Sequence, residues 1–418
     1  MNILWVKSGD LVPLDTGGKI RSFNLLKELA RQHQVDLVTF YPEQENDGHP
    51  ALNRYFRRVT CIPLKLPEKN GAGDYANYAL NLFSLQPYSM RKYCQPRVAR
   101  QVRALLARET YDVIVCDFFL TGAVIPWEFP CPKVLFTHNV EAQIWQRHFQ
   151  VSRNPVWKAI SWREYKTIAR LEHRYLEQAD AVLTVSDTDR DTFSKLIPRE
   201  KITTIQTGVD VDFYRPSTGK IQPNVMVFTG SMDWTPNEDG ILYFVDQILP
   251  LIRHSIPDAE VWVVGRNPSA RVRELNARDS RIRVTGTVDD IRPYMDQAAV
   301  YVVPLRIGGG TRIKIFEAMA EGKAVVSTSL GAEGLPVTHD QNIILADEPE
   351  IFAARVVALM QDAQKRDVLG QAARRLVEEN YSWSTVARQF AAVLASVAKP
   401  SAAASAPVST GSATVPIS

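Results

Sequence analysis

No run of about 18 or more apolar residues occurs in the 418-residue chain, so a membrane-spanning helix is not expected. Cysteine is scarce. Cys61, Cys94, Cys116 and Cys131 are the only four, widely spaced, with no C-x-x-C pair and no clustered histidines. That pattern offers no zinc site and reads as reduced core thiols of a cytoplasmic protein. The opening Met1-Asn2-Ile3-Leu4-Trp5-Val6-Lys7 lacks the basic-then-apolar order of a signal peptide and reads as a buried strand. Neither sign of charge dominates. The 49 Lys and Arg stand against 46 Asp and Glu, too small an excess for a dedicated nucleic-acid binder. It is unevenly placed, with 28 basic and 23 acidic residues in 1–210 and 21 and 23 in the remainder.

What is present fits a soluble globular chain of two domains, 45% hydrophobic and 23% charged. Short apolar runs suited to buried parallel strands, each followed by helical periodicity, occur at Ile3–Val6, Val35–Phe40, Val113–Cys116, Val134–Thr137 and Ala181–Val185. The alternation restarts at Val225–Phe228 and continues through Glu260–Val264, Ile282–Val284, Val300–Pro304, Ala324–Ser327 and Ile343–Leu345. Two doubly wound α/β domains facing across a cleft are predicted, with ligands bound at the carboxyl ends of the strands. The expected boundaries are an acceptor-side domain over 1–208 and a donor-binding domain over 209–380. A helix over 381–397 is expected to pack back on the first domain, and the Ala/Ser/Pro/Thr-rich 398–418 to be a disordered tail.

The segment Val300–Ala320 carries the most chemistry. A buried strand ends, Gly308, Gly309 and Gly310 permit unusual backbone, Thr311 can cap, and a helix begins. Free amides and the positive end of a helix dipole favour phosphate there, and Arg312 and Lys314 add charged donors. Glu317, one turn on among apolar neighbours, can accept from a ribose diol; a solvated glutamate on the helix rim is the alternative. A tight structural turn is the competing reading of the loop.

The run Gly308–Ala320, continued by Gly322–Thr328 and Gly331–Leu335, resembles the donor-site signature of family 4 retaining glycosyltransferases. Phe228–Asn237, Val264-Gly265-Arg266 and Thr285–Arg292 resemble the same family's second domain in order and spacing. The resemblance implies the GT-B fold and sugar transfer from a nucleotide-sugar donor to a glycan or lipid-linked acceptor, with retention; no cofactor is expected, and with no carboxylate cluster near the phosphate loop no metal is expected either. Envelope or exopolysaccharide assembly is the implied setting. Where the family has two glutamates eight positions apart, Glu317 matches the second and Gly309 replaces the first, so amides of Gly309 and Gly310 are expected to take over the sugar contact. Gly230 marks the first strand end of the donor domain, and the base is expected against backbone around Gly286 and Val288. A nucleotide-sugar epimerase and a non-catalytic scaffold of the same fold remain as alternatives.

In the first domain, Gly17 and Gly18 suit a loop closing over donor and acceptor, though they do not form G-x-G-x-x-G. His138 ends the strand Val134–Thr137, and the family resemblance makes it the candidate that positions the transferred sugar, with a satisfied structural histidine as the alternative. Asp210-Val211-Asp212 has the form of a metal-binding D-x-D but falls in the expected linker, so a structural role is expected. Residues 157–176 carry Lys158, Arg163, Lys166, Arg170 and Arg174 near Trp157, Trp162 and Tyr165. They suit either a basic helix at the inner face of a membrane, with Glu164, Glu172 and Glu177 diluting the charge, or an ordinary surface helix with core tryptophans.

Overall fold

The computed structural model describes residues 1–14, 16–43, 49–67, 71–82, 84–217, 219–307 and 313–398. The expected tail from 399 on and the expected phosphate loop Gly308–Arg312 lie outside them. The first sheet holds β1 (Asn2–Ser8), β2 (Gln34–Pro42), β3 (Arg58–Leu64), β4 (Val113–Asp117), β5 (Lys133–Phe136), β6 (Ala181–Thr184) and β7 (Ile202–Thr204). All pairs are parallel, in the order β3-β2-β1-β4-β5-β6-β7. The second holds β8 (Gln222–Thr229), β9 (Glu260–Val264), β10 (Ile282–Gly286), β11 (Ala298–Val303), β12 (Ala324–Ser327) and β13 (Ile344–Leu345), again parallel, in the order β10-β9-β8-β11-β12-β13. Two doubly wound domains are therefore present, as the alternation predicts.

Strands β3 and β7 escape the sequence pattern for a physical reason. Both lie at sheet edges. An edge strand is incompletely covered, so β3 tolerates Arg58, Thr60 and Pro63 and shows no continuous apolar run.

Side chains of β1 alternate between two cores, as a pleated strand requires. Leu4 and Val6 enter the core completed by Val38, Ile114 and Leu176. Ile3 and Trp5 enter the opposite one with Leu26, Phe136, Phe390 and Leu394. That second core is covered by the helices Gly17–Leu29 and Trp383–Val397, so the last helix returns from the second domain to the first. Trp5 and Phe390 rings lie 5.4 Å apart. The outgoing and returning chains run side by side, with the Val209 amide donating to the Tyr381 carbonyl at 2.8 Å. A methyl at Gly208 would meet the Trp383 ring at 2.7 Å, so this crossing requires glycine. Cys116 and Cys131 are buried, whereas Cys61 and Cys94 are only half-buried.

Candidate active site

The carboxyl ends of β1, β4 and β5 bring together a buried charged network. Lys7 lies 3.5 Å from Asp117 and donates to Ser22 at 3.1 Å. Asp117 also accepts from Trp5 Nε1 at 2.9 Å and sits 2.7 Å from His138 Nε2. A carboxylate only accepts and a guanidinium only donates. His138 Nε2–H therefore donates to Asp117, while Nδ1 accepts from Arg21 at 3.3 Å. Arg21 donates further to Thr207 Oγ1 at 2.7 and 2.9 Å.

Burial alone would raise the Asp117 carboxyl, but Lys7 and His138 beside it hold it well below the usual carboxylate range. Burial drives His138 down to about 4 and Arg21 down to about 10. The imidazole is thus neutral at pH 7, with both nitrogens engaged. A sugar hydroxyl could reach Nδ1 only by sharing it with Arg21.

Gly17 and Gly18 are the first residues of the helix Gly17–Leu29, which corrects the expectation of a flexible loop. The first turn of a helix lacks internal acceptors for its amides, so this position retains anion-binding character. Gly18 lies over His138, with a built methyl 3.5 Å from Nδ1, and Gly17 faces Ile313 Cδ1 of the second domain at the same distance.

In the second domain the strand ends are backbone-rich. Gly230, Gly265 and Gly286 all have positive φ. A methyl at Gly265 would fall 1.8 Å from the Gly230 carbonyl oxygen, so β8 and β9 end in a backbone contact only glycine allows; the space over Gly286 is open. Val288 is half-buried with its side chain packed on the core.

Lys314 lies in the helix Ile313–Ala320 but reaches the end of β8, donating to the Thr229 carbonyl and to Asn237 Oδ1, each at 2.7 Å. A methyl at Gly230 would stand 2.8 Å from its Nζ. The segment Gly230–Asn237 contains no basic residue, and Lys314 supplies that strand end with one from 85 positions away. Glu317 is partly buried; burial raises its pKa, opposed by a Tyr214 hydrogen bond and the Lys314 charge.

Between the domains lies a cavity of about 490 Å³. Its first wall includes His138, Arg147, Asp189 and Thr207, and its second Phe316, Glu333 and Leu335. Lys7, Arg21, Asp117, Arg147, Asp189 and Glu333 are absent from the sequence-derived site. The signal for two of them was legible, since Lys7 and Asp117 are charges within or ending apolar strand runs, and such groups need partners. Asp210 Oδ1 caps the following turn, accepting from the amides of Asp212 and Phe213. Among the described residues no group of three or more His, Cys, Asp or Glu is placed to hold a metal ion.

Two family profiles divide the chain at its domain join. "Glycosyltransferase Family 4" matches residues 16–213 and "Glycosyl transferases group 1" residues 223–362. The chain is a GT-B glycosyltransferase. The glycosyltransferase is 20% identical over 381 residues to an uncharacterized 44.6 kDa protein in the cps region of Klebsiella pneumoniae, covering 88% of this chain and 93% of that one. It is 28% identical over 254 residues to the phosphatidyl-myo-inositol mannosyltransferase of Mycobacterium tuberculosis, a match spanning 58% of this chain and 65% of that one. Among solved structures the glycosyltransferase resembles the sucrose-phosphate synthase of Thermosynechococcus elongatus, with TM-score 0.67 and 18% identity over 94% of this chain and 98% of that one. It also resembles Anabaena HepE bound to UDP, with TM-score 0.66 and 17% identity over 95% and 100%.

Proposed function

We propose that this glycosyltransferase moves a sugar from a nucleotide-sugar to a glycan or lipid-linked acceptor with retention and without a metal ion, in envelope or capsule-type polysaccharide assembly. The observation that carries it is Lys314 at the end of β8 with Glu317 one turn further along the same helix, beside a cavity whose opposite wall is His138. Arg312, Lys314, Thr311 and the amides of Gly308, Gly309 and Gly310 meet the donor diphosphate. Glu317 takes the ribose, and backbone at Gly230, Gly286 and Val288 receives the base end. Gly17, Gly18 and His138 face the sugar. The relative in a cps region supports the polysaccharide setting.

In this reading the bond from the anomeric carbon to the diphosphate oxygen breaks with its electron pair on the diphosphate. The acceptor oxygen bonds to that carbon on the same face, and a donor phosphate oxygen takes the acceptor proton. The chain's part is positioning and stabilising the departing charge.

Thermal shift with UDP-, GDP- and ADP-sugars selects the donor, because a ligand bound only by the folded state raises Tm. Transfer to acceptor, with an unchanged anomer by NMR, is the expected product. An inverted product sinks the mechanism, and epimerised donor without transfer sinks the function. Activity is expected to survive excess EDTA; loss restored by Mg²⁺ or Mn²⁺ overturns the metal-free site.

A further inference from the structure

The helix Pro155–Gln178 is a different object in space from the basic helix its sequence suggests. Arg163 is not on the surface stripe: it ties down the chain on both sides of residue 83, donating to the carbonyls of Asn81, Ser84 and Gln86, and pairs with Glu164. Glu164 and Glu172 are 1% and 2% exposed. Two of the three acids expected to dilute the charge therefore do not reach solvent. Between residues 147 and 170, Glu164 is the only acidic residue, while Arg147, Arg153, Lys158, Lys166 and Arg170 are all exposed. Trp162, Lys166 and Arg170 follow one another at i, i+4 and share an outward stripe.

Exposed large apolar side chains gather at the same place. Leu80, Leu82 and Leu85 lie on or beside the stretches that Arg163 holds, and Val151, Val156, Trp157 and Trp162 on or beside the helix; Leu85 is 74% and Trp162 50% exposed. Beneath this rim opens a groove of about 1210 Å³, lined by Tyr78, Tyr88, Tyr93, Trp145, Trp157 and Ile160. It begins at Pro42 and Leu64, the carboxyl ends of β2 and β3. Its Asp74 is paired with Lys92 at 2.8 Å. Protruding tryptophan and leucine interleaved with unopposed bases match an anionic bilayer, where the rings sit at headgroup level and the bases over phosphates.

We propose that this face of the first domain lies on an anionic lipid bilayer, with the aromatic groove opening toward it. The inference does not depend on the transferase reading. It deepens that reading by making the acceptor lipid-linked, its apolar part entering the groove.

The test uses the full chain with phosphatidylglycerol/phosphatidylcholine vesicles and with phosphatidylcholine alone. Cosedimentation with the anionic vesicles is expected to be at least about tenfold stronger at low salt. A fraction is expected to remain at high salt, because insertion of Leu85 and Trp162 is not screened. The triple variant Lys158→Glu, Lys166→Glu, Arg170→Glu should lose on the order of a hundredfold at low salt, about fivefold per base. The double variant Leu85→Ser, Trp162→Ser should lose the salt-resistant fraction. Both variants should keep the nucleotide thermal shift of the parent, which shows them folded. Equal binding to both vesicle types, or folded variants that bind like the parent, overturns the proposal. Vesicle binding in a chain that no nucleotide-sugar stabilises would leave this surface standing and remove the transferase reading instead.

Discussion

The two domains share one strand order over their first six strands, yet end in opposite chemistry at the cleft. The first domain ends in side chains: Lys7, Asp117, His138, Arg21 and Thr207 form a buried, mutually bonded network. The second ends in backbone: glycines at positive φ with one lysine folded over them. A network whose members satisfy one another is rigid and pre-set, while glycine strand ends leave backbone and open space, as over Gly286. The same scaffold thus supplies a fixed wall and a receptive one.

The largest effect is expected from Asp117→Ala, which leaves Lys7 and His138 buried without their carboxylate. A loss of about 3–5 kcal/mol by urea unfolding is expected, concentrated in the first domain. A smaller loss, below about 1 kcal/mol, would show that the fixed wall is not held by charge.

Next is Gly265→Ala. Its methyl collides with the Gly230 carbonyl, and its φ of 150° disfavours a side chain. About 2–4 kcal/mol should be lost, with nucleotide affinity falling as the β8 and β9 ends part. Unchanged stability would mean the backbone contact is not required.

The third prediction concerns pH. Burial pushes Glu172 up to about 8, against the pull of two backbone amides, those of Glu141 and Ala142. The folded state then holds a proton that the unfolded chain releases near its ordinary value of 4.5. The stability this contributes is full below about pH 4.5 and declines as pH rises toward 8. Glu172→Gln should flatten that decline, which the two values put at about 3.5 kcal/mol between pH 5 and 8, read from denaturation midpoints. An unaltered slope would place the titration elsewhere.

The smallest effect belongs to the receptive wall. Lys314→Ala should weaken a nucleoside diphosphate about tenfold and the nucleoside hardly at all, measured by calorimetry. Equal losses would assign Lys314 to holding Thr229 and Asn237 rather than to phosphate.

Much of this was legible before any fold was known. All six strands of the second domain were marked by apolar runs, including the edge strands β10 and β13, whose short runs Ile282–Val284 and Ile343–Leu345 are only partly buried. The glycine-rich sequence before Ile313 and the family signature around it pointed to the second domain as the expected donor side. The legible part of the first domain was smaller: five of its seven strands, and of its network only His138. Its edge strands lack the apolar run, and Arg21 looks unremarkable until its partner Thr207 arrives from 186 positions away.

The sequence by itself determined the two strand-helix series and the glycines at the strand ends, because those features are local and follow from periodicity and backbone freedom. Only the tertiary structure decided which charges meet and that Lys314 serves the end of β8. It also decided that Glu164 and Glu172 turn inward, leaving the outer face of their helix basic and apolar. Each of these depends on distances between segments remote in the chain, and no local pattern encodes a distance.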